Sequence, residues 1–372
     1  MSLVRDGLAL DMTASVVSRT AVFHMALDTA AAWRARTQAW RYGEDYRDAP
    51  IEDRQTLAAM KQRIMELVMG DGGIYDDRHS VFAARRKRDV RVSRTLFFDP
   101  LYVLIDELRR DDIVFVLDVS PLTNPEWHDV RACELYEVAY LRLLTSGARV
   151  LAISQHTADA LWANFGLEPE RVTVVPLYTR AGLQPQTGVT VPKERRFLFV
   201  GSLETRKNIA GLMLGFERSG LALRGYTLSV VGGRGHGGEA IKDLAFGIRG
   251  VELHGFAPDA ELRHLYESSL AFAYPSFLEG FGVPVLESLS WGLPILTANT
   301  GAAAEVAGAD AIIVDPYDIA AIAQGLCRLA DMSEVEREAI AARNRARATE
   351  FSFERYIATM EQAVFRDGNT VA

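Results

Sequence analysis

Residues 274–306 read YPSFLEGFGVPVLESLSWGLPILTANTGAAAEV, and this stretch decides the fold of the second half of the chain. An apolar run ends at a loop that holds Glu279, and a helical pattern containing Glu287 follows before the next apolar run. The two glycines around Phe281 let the backbone approach a ligand, and the helix start after them directs N–H groups toward an anion. Pro284 suits the first turn of that helix, where its missing N–H would have no partner anyway. The stretch therefore predicts a strand, an anion-binding loop, a helix and a second strand.

The same alternation of short apolar runs and helical patterns extends along the rest of the chain. Continuous apolar strands alternating with helices indicate parallel sheets covered on both faces. The candidate strands are LVRDGLALDM, DIVFVLDVS, RVLAIS and RVTVVPLY in the first half, and RFLFVGS, YTLSVVGG, VELHGF, LAFAYPS, LPILTA and AIIVD in the second. Helical patterns cover residues 51–69, 157–165 and 353–365, among others. We expect an α/β protein built from two Rossmann-like, doubly wound domains.

A linker over residues 181–196, AGLQPQTGVTVPKERR, divides the chain because it gathers Gly, Pro, Gln and Thr without periodicity. It predicts an N-terminal domain over 1–185 and a C-terminal domain over 186–352. The last helical stretch, 353–372, is expected to pack back on the first domain. Two such domains place a cleft at the carboxyl ends of their strands, where ligands bind in this architecture.

Composition narrows the class of protein. The 372 residues carry 41 Lys and Arg against 49 Asp and Glu, a net charge of −8 that argues against a nucleic-acid binder. Cys133 and Cys327 are too far apart for a CxxC pair, so neither a disulfide framework nor a zinc site is expected. The N-terminus lacks the pattern of a secretory signal, and no apolar run approaches the roughly 18 residues of a spanning helix. We expect a cytoplasmic protein.

A carboxylate beside a phosphate-binding helix start suggests a ligand with hydroxyl groups as well as phosphates. A sugar joined to a nucleotide by a diphosphate supplies both. Each glutamate also has a purely structural interpretation: Glu279 as a surface residue, and Glu287 as a residue near a helix start that the macrodipole favours. For either glutamate taken alone, the structural and the functional interpretations are equally good.

The surroundings of the pair favour the functional interpretation. The segment EGFGVPVLESLSWGLPIL, with two glutamates separated by seven residues, closely resembles the signature of the GT4 family of retaining glycosyltransferases. The resemblance extends through HGFAPDAELRHLYESSLAFAYPS and RFLFVGSLETRKNIAGLMLGF, and more weakly to VLAISQHTADALWANFGLEPERVTVVP. It is strong over residues 195–330 and moderate over 113–180. It implies the GT-B fold, in which two Rossmann-like domains face a central cleft, with the acceptor bound by the domain over 1–185 and the nucleotide sugar by the domain over 186–352. It also points to mannosyltransferase-like members from bacterial polysaccharide assembly.

The resemblance also implies roles for individual residues. Arg206 and Lys207 would neutralise the donor diphosphate, Glu279 would contact the transferred sugar, and the ribose would contact Glu287. A solvated basic pair is the alternative for Arg206 and Lys207, but the helix dipole disfavours cations at a helix start. The implied catalytic residues are Glu279, Lys207, Arg206 and Asp118. The implied donor-binding residues are Gly201, Ser202, Arg206, Lys207, Phe256, Glu279, Gly280, Phe281, Gly282, Val283 and Glu287, with residues 253–256 lining the base pocket.

The chain departs from the family pattern at three places. In FVLDVSPLTNPEWH, Leu117 stands where the family has a His before Asp118, so either the sugar is held differently or His128 takes part. Ser202 follows Gly201 where the family often has Arg. The first loop, DMTASVVSRT, lacks the family's glycines, and Ser15 and Ser18 are candidate hydroxyl donors in their place.

The residues and the resemblance together predict a retaining glycosyltransferase that moves a hexose, with mannose favoured, to a glycan or a polyprenyl-diphosphate-linked oligosaccharide. The donor is GDP-mannose or a UDP-sugar such as UDP-glucose. The resemblance implies that no metal is obligatory, and the lack of a DxD-like motif in a convincing setting agrees with this. A non-catalytic GT-B scaffold or partner subunit is the competing interpretation. A nicotinamide oxidoreductase would need GxGxxG after a strand, which this sequence lacks.

A basic run, AARRKRDVRVSR, interrupts the acidic composition between residues 83 and 94. Its four consecutive cations are Arg85, Arg86, Lys87 and Arg88. A solvated charged surface and a site for anionic lipid headgroups are both open interpretations, the latter at about 1 kcal/mol per basic residue near a membrane. The second would make the protein peripheral to the inner face of the cell membrane.

Overall fold

The structure is a computed structural model that describes residues 7–17, 21–76, 89, 91–185, 191–235 and 237–365. The chain forms two compact units. Unit 1 comprises residues 1–153, 157–175 and 357–372, and unit 2 comprises residues 154–156 and 176–356.

Unit 1 is built on one sheet, seven-stranded within the described residues. Its strands are β1 (Leu8–Asp11), β2 (Thr37–Tyr42), β3 (Asp45–Arg47), β4 (Arg94–Phe97), β5 (Ile113–Val116), β6 (Arg149–Ala152) and β7 (Val172–Val174). The helices of this part of the chain are α1 (Thr13–Val17), α2 (Ala21–Ala32), α3 (Arg54–Met69), α4 (Ser120–Thr123), α5 (Val130–Ser146) and α6 (Gln155–Phe165). The strand order is β3-β2-β1-β4-β5-β6-β7, parallel except for the β2–β3 hairpin. The order reverses between β1 and β4, which makes that edge the switch point of the sheet.

Unit 2 carries a second sheet, six-stranded and parallel throughout its described part. Its strands are β8 (Arg196–Val200), β9 (Thr227–Val231), β10 (Val251–Gly255), β11 (Ala271–Tyr274), β12 (Ile295–Ala298) and β13 (Ile312–Val314). Its helices are α7 (Ile209–Ser219), α8 (Gly238–Gly247), α9 (Asp259–Ser268), α10 (Val283–Ser290), α11 (Ala303–Ala307), α12 (Ile319–Asp331) and α13 (Glu334–Ala348). The strand order β10-β9-β8-β11-β12-β13 is that of a Rossmann sheet, with its switch point between β8 and β11.

The predicted α/β class and the parallel sheets are confirmed, and all ten candidate strands contain a strand of the structure. The predicted helix over 51–69 begins later, at Arg54, because the Asp53 side chain accepts the backbone N–H of Thr56 and caps it. Three strands of unit 1 were not predicted: β2, β3 and β4. Each is short or mixed in polarity, so no continuous apolar run marks it.

The two units divide at Val175 and Pro176, ten residues before the predicted boundary at 185. The reason is that residues after Pro176 pack within unit 2. Leu183 is fully buried, and its carbonyl accepts a hydrogen bond from the Trp291 indole at 2.9 Å.

The last helix, α14, spans Phe353–Phe365 as the sequence predicts. Its residues from Ile357 onward belong to unit 1. There the carbonyls of Val364 and Ala363 accept hydrogen bonds from Arg94 and Arg149, at 2.9 and 2.7 Å. These bonds satisfy carbonyls that the end of a helix leaves without an intrahelical partner. Among the described helices, none has the length and apolar character needed to cross a membrane.

Candidate active site

The switch point of unit 2 brings together two loops that are far apart in sequence. One follows β8 and carries Arg206 and Lys207, and the other follows β11 and carries Glu279. In open α/β sheets, ligands bind beyond the carboxyl ends of the strands at such a point. The topology therefore places these predicted residues where a ligand is expected.

Gly201 allows the Lys207 side chain to reach this edge. A Cβ at Gly201 would lie 3.0 Å from Cδ of Lys207 and 3.2 Å from its Cε, so any larger residue would press on the lysine stem. The backbone N–H of Gly201 donates to the Val231 carbonyl at 2.8 Å, which fixes the loop to the neighbouring strand. The glycine is thus required for packing beneath the lysine.

Lys207, Tyr274, Arg206 and Glu279 form a buried group that we call the charged cluster. The Lys207 ammonium donates to the Tyr274 hydroxyl at 2.7 Å and to Glu279 Oε1 at 3.0 Å. The Tyr274 hydroxyl donates to the same Oε1 at 3.0 Å, and Arg206 Nη1 lies 3.3 Å from Oε2. Lys207 and Glu279 are each only 8% exposed. Glu279 is thus the counterion of Lys207 and shares Arg206 with Glu204, whose Oε2 lies 3.5 Å from Arg206 Nη2.

The cluster fixes the protonation state of Glu279. Burial alone would raise the pKa of this carboxyl, but Arg206, Lys207 and the hydrogen bonds outweigh it and lower the pKa to about 2. Burial also opposes the charge of Lys207, yet Glu279 outweighs it and raises the pKa of the ammonium. At neutral pH Glu279 is therefore a hydrogen-bond acceptor, and it has no proton to give to a leaving group.

The predicted loop from Gly280 to Val283 leads directly into α10. Gly282 has a φ of 92°, a left-handed conformation that a side chain would disfavour, and it stands at the N-cap position. Phe281 is buried and packs edge-on against Phe351 at 5.8 Å, so its side chain anchors the loop. No side chain of the described residues caps this helix, which leaves its start available to an anion.

Glu287 lies apart from the charged cluster and has its own protein partners. Oε1 accepts hydrogen bonds from Arg180 Nε at 3.1 Å and Nη2 at 2.9 Å, and Oε2 accepts one from the Tyr266 hydroxyl at 3.0 Å. The carboxylate is 2% exposed. Burial raises its pKa, and Arg180 only partly offsets that effect. Sequence reasoning missed Arg180 and Tyr266, since neither belongs to the motif.

Two other predicted donor contacts differ from expectation. The Ser202 hydroxyl donates to the Glu204 carboxylate within its own loop. Phe256 is 83% exposed, so its side chain does not line an enclosed base pocket in unit 2. Phe256 follows the end of β10 at Gly255, where the backbone turns outward with a φ of 67°.

Asp118 lies in unit 1, just beyond the end of β5. Its Oδ1 accepts hydrogen bonds from the Ser120 backbone N–H at 2.9 Å and hydroxyl at 2.7 Å. Because that hydroxyl hydrogen points to Asp118, Ser120 Oγ accepts from His128 Nε2, 2.8 Å away. His128 is thereby linked to Asp118 through a buried hydroxyl, while the carbonyl of Leu117 accepts from Thr157. The participation of His128 in the reaction stays a prediction, and a structural role as a loop histidine beside Trp127 is its alternative.

The last residue of β1, Asp11, carries a buried charge that the sequence did not reveal. Asp11 pairs with Arg41 at 3.3 Å, and both side chains are at most 1% exposed. Arg41 also lies 3.6 Å from Asp106. The candidate donor Ser15 instead donates to the Met12 carbonyl at 2.7 Å. Ser18 and the basic run Arg85, Arg86, Lys87 and Arg88 lie outside the described residues.

Comparison with known proteins identifies the chain. Residues 184–347 match the family described as "Glycosyl transferases group 1". The O-antigen chain mannosyltransferase B of Escherichia coli is 30% identical over 273 residues, which cover 70% of this chain and 71% of that protein. The chain belongs to this family.

Further relatives support the assignment of this group 1 glycosyltransferase. An MMP alpha-(1->4)-mannosyltransferase of Mycolicibacterium hassiacum is 30% identical over 229 residues, 58% of this chain and 54% of that protein. Among solved structures, Anabaena Alr3699/HepE in complex with UDP and glucose matches 96% of this chain and 98% of its own, with a TM-score of 0.66 and 16% identity. WaaG, a glycosyltransferase involved in lipopolysaccharide biosynthesis, matches 97% and 100% with a TM-score of 0.62 and 16% identity. The fold is therefore the GT-B fold, and the chain is a GT4-like glycosyltransferase enzyme.

Glu279→Gln is expected to destabilise unit 2 because it leaves the Lys207 ammonium buried without a carboxylate and leaves Arg206 with Glu204 alone. A loss of about 3–5 kcal/mol is typical when one partner of a buried ion pair is removed. Urea unfolding monitored by circular dichroism measures it. The exposed Glu239→Gln is the control and should change stability by less than about 1 kcal/mol.

The charge of Glu279 also makes the free energy of unfolding depend on pH, and Glu279→Gln is the variant that shows it. The pKa of Glu279 is lowered from 4.5 to about 2, so its stabilisation is complete above pH 4.5 and is lost as the pH falls toward 2. The gap between the unfolding free energies of wild type and Glu279→Gln should therefore narrow across that window. A gap that stays constant from pH 5 to pH 2 would contradict the assignment of this charge.

Arg180→Met is expected to destabilise unit 2 by about 2 kcal/mol, since it leaves the Glu287 carboxylate buried with only Tyr266 as a partner. Adding Glu287→Gln removes the uncompensated charge, so the double variant should be more stable than the sum of the two single effects. Thermal unfolding of the four proteins in this cycle measures the coupling. Additive effects would show that the two side chains do not interact.

Proposed function

We propose that this enzyme is a retaining glycosyltransferase that moves mannose from a nucleotide-sugar donor, GDP-mannose, to a glycan or a polyprenyl-diphosphate-linked oligosaccharide in polysaccharide biosynthesis. The observation that carries the proposal is the charged cluster beside the uncapped start of α10, at the switch point of unit 2. Mannose is favoured by the relatives, because O-antigen mannosyltransferases of Escherichia coli and Salmonella typhimurium are among them. UDP-glucose is the alternative donor, since the Anabaena structure contains UDP and glucose.

The proposed chemistry uses the cluster to stabilise a leaving group. The bond between the anomeric carbon and the diphosphate oxygen breaks, and the acceptor hydroxyl forms a new bond to that carbon on the same face of the sugar. The acceptor proton passes to the departing phosphate oxygen. Lys207 has three donor hydrogens and uses two of them on Tyr274 and Glu279, so its third is available to the diphosphate. Cations and helix N–H groups fixed in place beforehand stabilise the charge that develops on the leaving group.

Ionised Glu279 suits a contact with the transferred sugar. A carboxylate with a pKa of about 2 accepts hydrogen bonds from sugar hydroxyls and stabilises the positive charge that develops at the anomeric carbon. Glu287 has one remaining acceptor position on Oε2 beyond those taken by Arg180 and Tyr266, which suits a single ribose hydroxyl. Asp118 and His128 are the proposed contribution of unit 1.

A screen of nucleotide sugars, read by release of GDP or UDP, tests the proposal. We expect turnover with GDP-mannose, and a loss of about 100-fold or more in kcat for Lys207→Met, the magnitude found for removal of one charge-stabilising donor. Lys242→Met, at a partly exposed lysine of α8 outside the charged cluster, is the matched control and should retain activity. Because protein cations supply the positive charge, transfer should persist in EDTA.

Turnover of UDP-glucose alone would correct the donor, and no turnover of any sugar nucleotide would favour the scaffold interpretation.

Peripheral binding to a membrane is proposed separately, on the basic run Arg85, Arg86, Lys87 and Arg88. In a density-gradient flotation assay, the protein should rise with vesicles that contain 30% phosphatidylglycerol and should not rise with pure phosphatidylcholine vesicles. Replacing the four cations with Gln should abolish flotation. Equal flotation of the substituted protein would exclude this role.

A further inference from the structure

Two aromatic rings form an exposed stack at the carboxyl edge of unit 2. Phe277 follows β11 and Tyr317 follows β13, and their ring centroids lie 4.7 Å apart with planes inclined by 24°. Tyr317 nevertheless keeps 66% of its surface exposed. Phe277 therefore backs the tyrosine ring, and much of that ring remains open to a ligand. We call this pair the aromatic platform.

Asn208 holds the two loops of the platform together. Its side-chain amide donates one hydrogen bond to the Pro275 carbonyl at 2.9 Å and another to the Pro316 carbonyl at 2.7 Å. It is 4% exposed and has a φ of 51°, the one left-handed residue other than glycine in the described chain. Asn tolerates this conformation better than most residues. The amide thus fixes the spacing of the two rings from beneath, which favours a preformed platform over a chance contact between mobile side chains.

The platform adjoins the charged cluster. The backbone N–H of Phe277 donates to the Arg206 carbonyl at 2.9 Å, and Glu279 follows two residues later in the same loop. Along the sheet, β13 and Tyr317 lie on the opposite side of the switch point from β10. A ligand on the platform would therefore lie beside the charged cluster, on the β13 side of the switch point.

Polar groups beside the rings suit a ligand with hydroxyls. The carboxylates of Asp315 and Asp318 flank Tyr317 in sequence and are exposed. Their Oδ1 atoms accept backbone N–H groups of Tyr317, and of Ala320 and Ala321, and the remaining carboxylate oxygens can accept hydrogen bonds from ligand hydroxyls.

We propose that the aromatic platform binds a pyranose ring of the glycan acceptor, beyond the sugar that receives the transferred residue. A pyranose presents a C–H face that packs against an aromatic ring and a rim of hydroxyls that donate hydrogen bonds to carboxylates such as those of Asp315 and Asp318. This subsite rests on the proposed function, because an acceptor glycan is what it would hold. It would help the enzyme to prefer an extended glycan over a single sugar.

Tyr317→Ala tests the subsite, with Tyr317→Phe as the variant that keeps the ring. Phe246→Ala is the matched control, since Phe246 is 88% exposed on α8 and belongs to no part of the site. With GDP-mannose as donor and α-linked mannotriose as acceptor, we expect Tyr317→Ala to raise the acceptor KM about fivefold, as losing one stacking contact does. The donor KM, and the KM for methyl α-mannoside, should not change. Tyr317→Phe and Phe246→Ala should behave as wild type.

Saturation-transfer NMR provides a second readout that does not need turnover. Irradiation of aromatic protons should transfer saturation to C–H protons of mannotriose in wild type, and the signal should be lost in Tyr317→Ala alone. Unchanged mannotriose KM and saturation in Tyr317→Ala would overturn the subsite. A rise in donor KM would assign the platform to the nucleobase and overturn it as well. Tyr317-dependent saturation without any mannose transfer would leave the subsite standing and reject the proposed function.

Discussion

The ion pair between the Lys207 ammonium and the Glu279 carboxylate joins two loops that lie 72 residues apart in the sequence. Moving either charge out of water costs several kcal/mol, and that cost is recovered only if the partner and additional hydrogen bonds are in place. Tyr274 provides such a bond to both groups, and Gly201 leaves room for the lysine stem. The strand order of unit 2 is what makes these conditions compatible, because it places the ends of β8 and β11 side by side.

The sequence could predict this arrangement because the signals for it are local. Parallel strands buried on both faces read as apolar runs, and all six in unit 2 were found that way. A single segment contains the glycines, Pro284 and the two glutamates, so the loop and the start of the helix could also be predicted from the sequence. Arg206 and Lys207 follow the first strand of the same unit at short range. The resemblance to a known family then supplied roles that local chemistry alone had left open.

Partners brought in over long distances could not be predicted. Arg180 reaches Glu287 across 107 residues, and nothing around Arg180 marks it as a buried partner. In unit 1, Arg41 lies in the middle of TQAWRY, where a charged residue lowers the apolar signal of the strand although it pairs inside with Asp11. Phe256 shows a second limit, because its place in the base pocket came from the family resemblance, whereas the structure leaves its side chain 83% exposed after the turn at Gly255. The link from Asp118 through Ser120 to His128 depends on hydroxyl orientation, which a sequence does not encode visibly.

The pairing of Arg180 with Glu287 also constrains how this protein can diverge. A Glu287 carboxylate left without Arg180 would be a buried charge with no counterion, so an intermediate sequence that has lost only the arginine is penalised. Positions 180 and 287 are therefore expected to change together in descendants of this chain. A lineage that exchanged the glutamate for a neutral residue would be free to discard the arginine, and the segment that carries it would then lose its electrostatic attachment to α10.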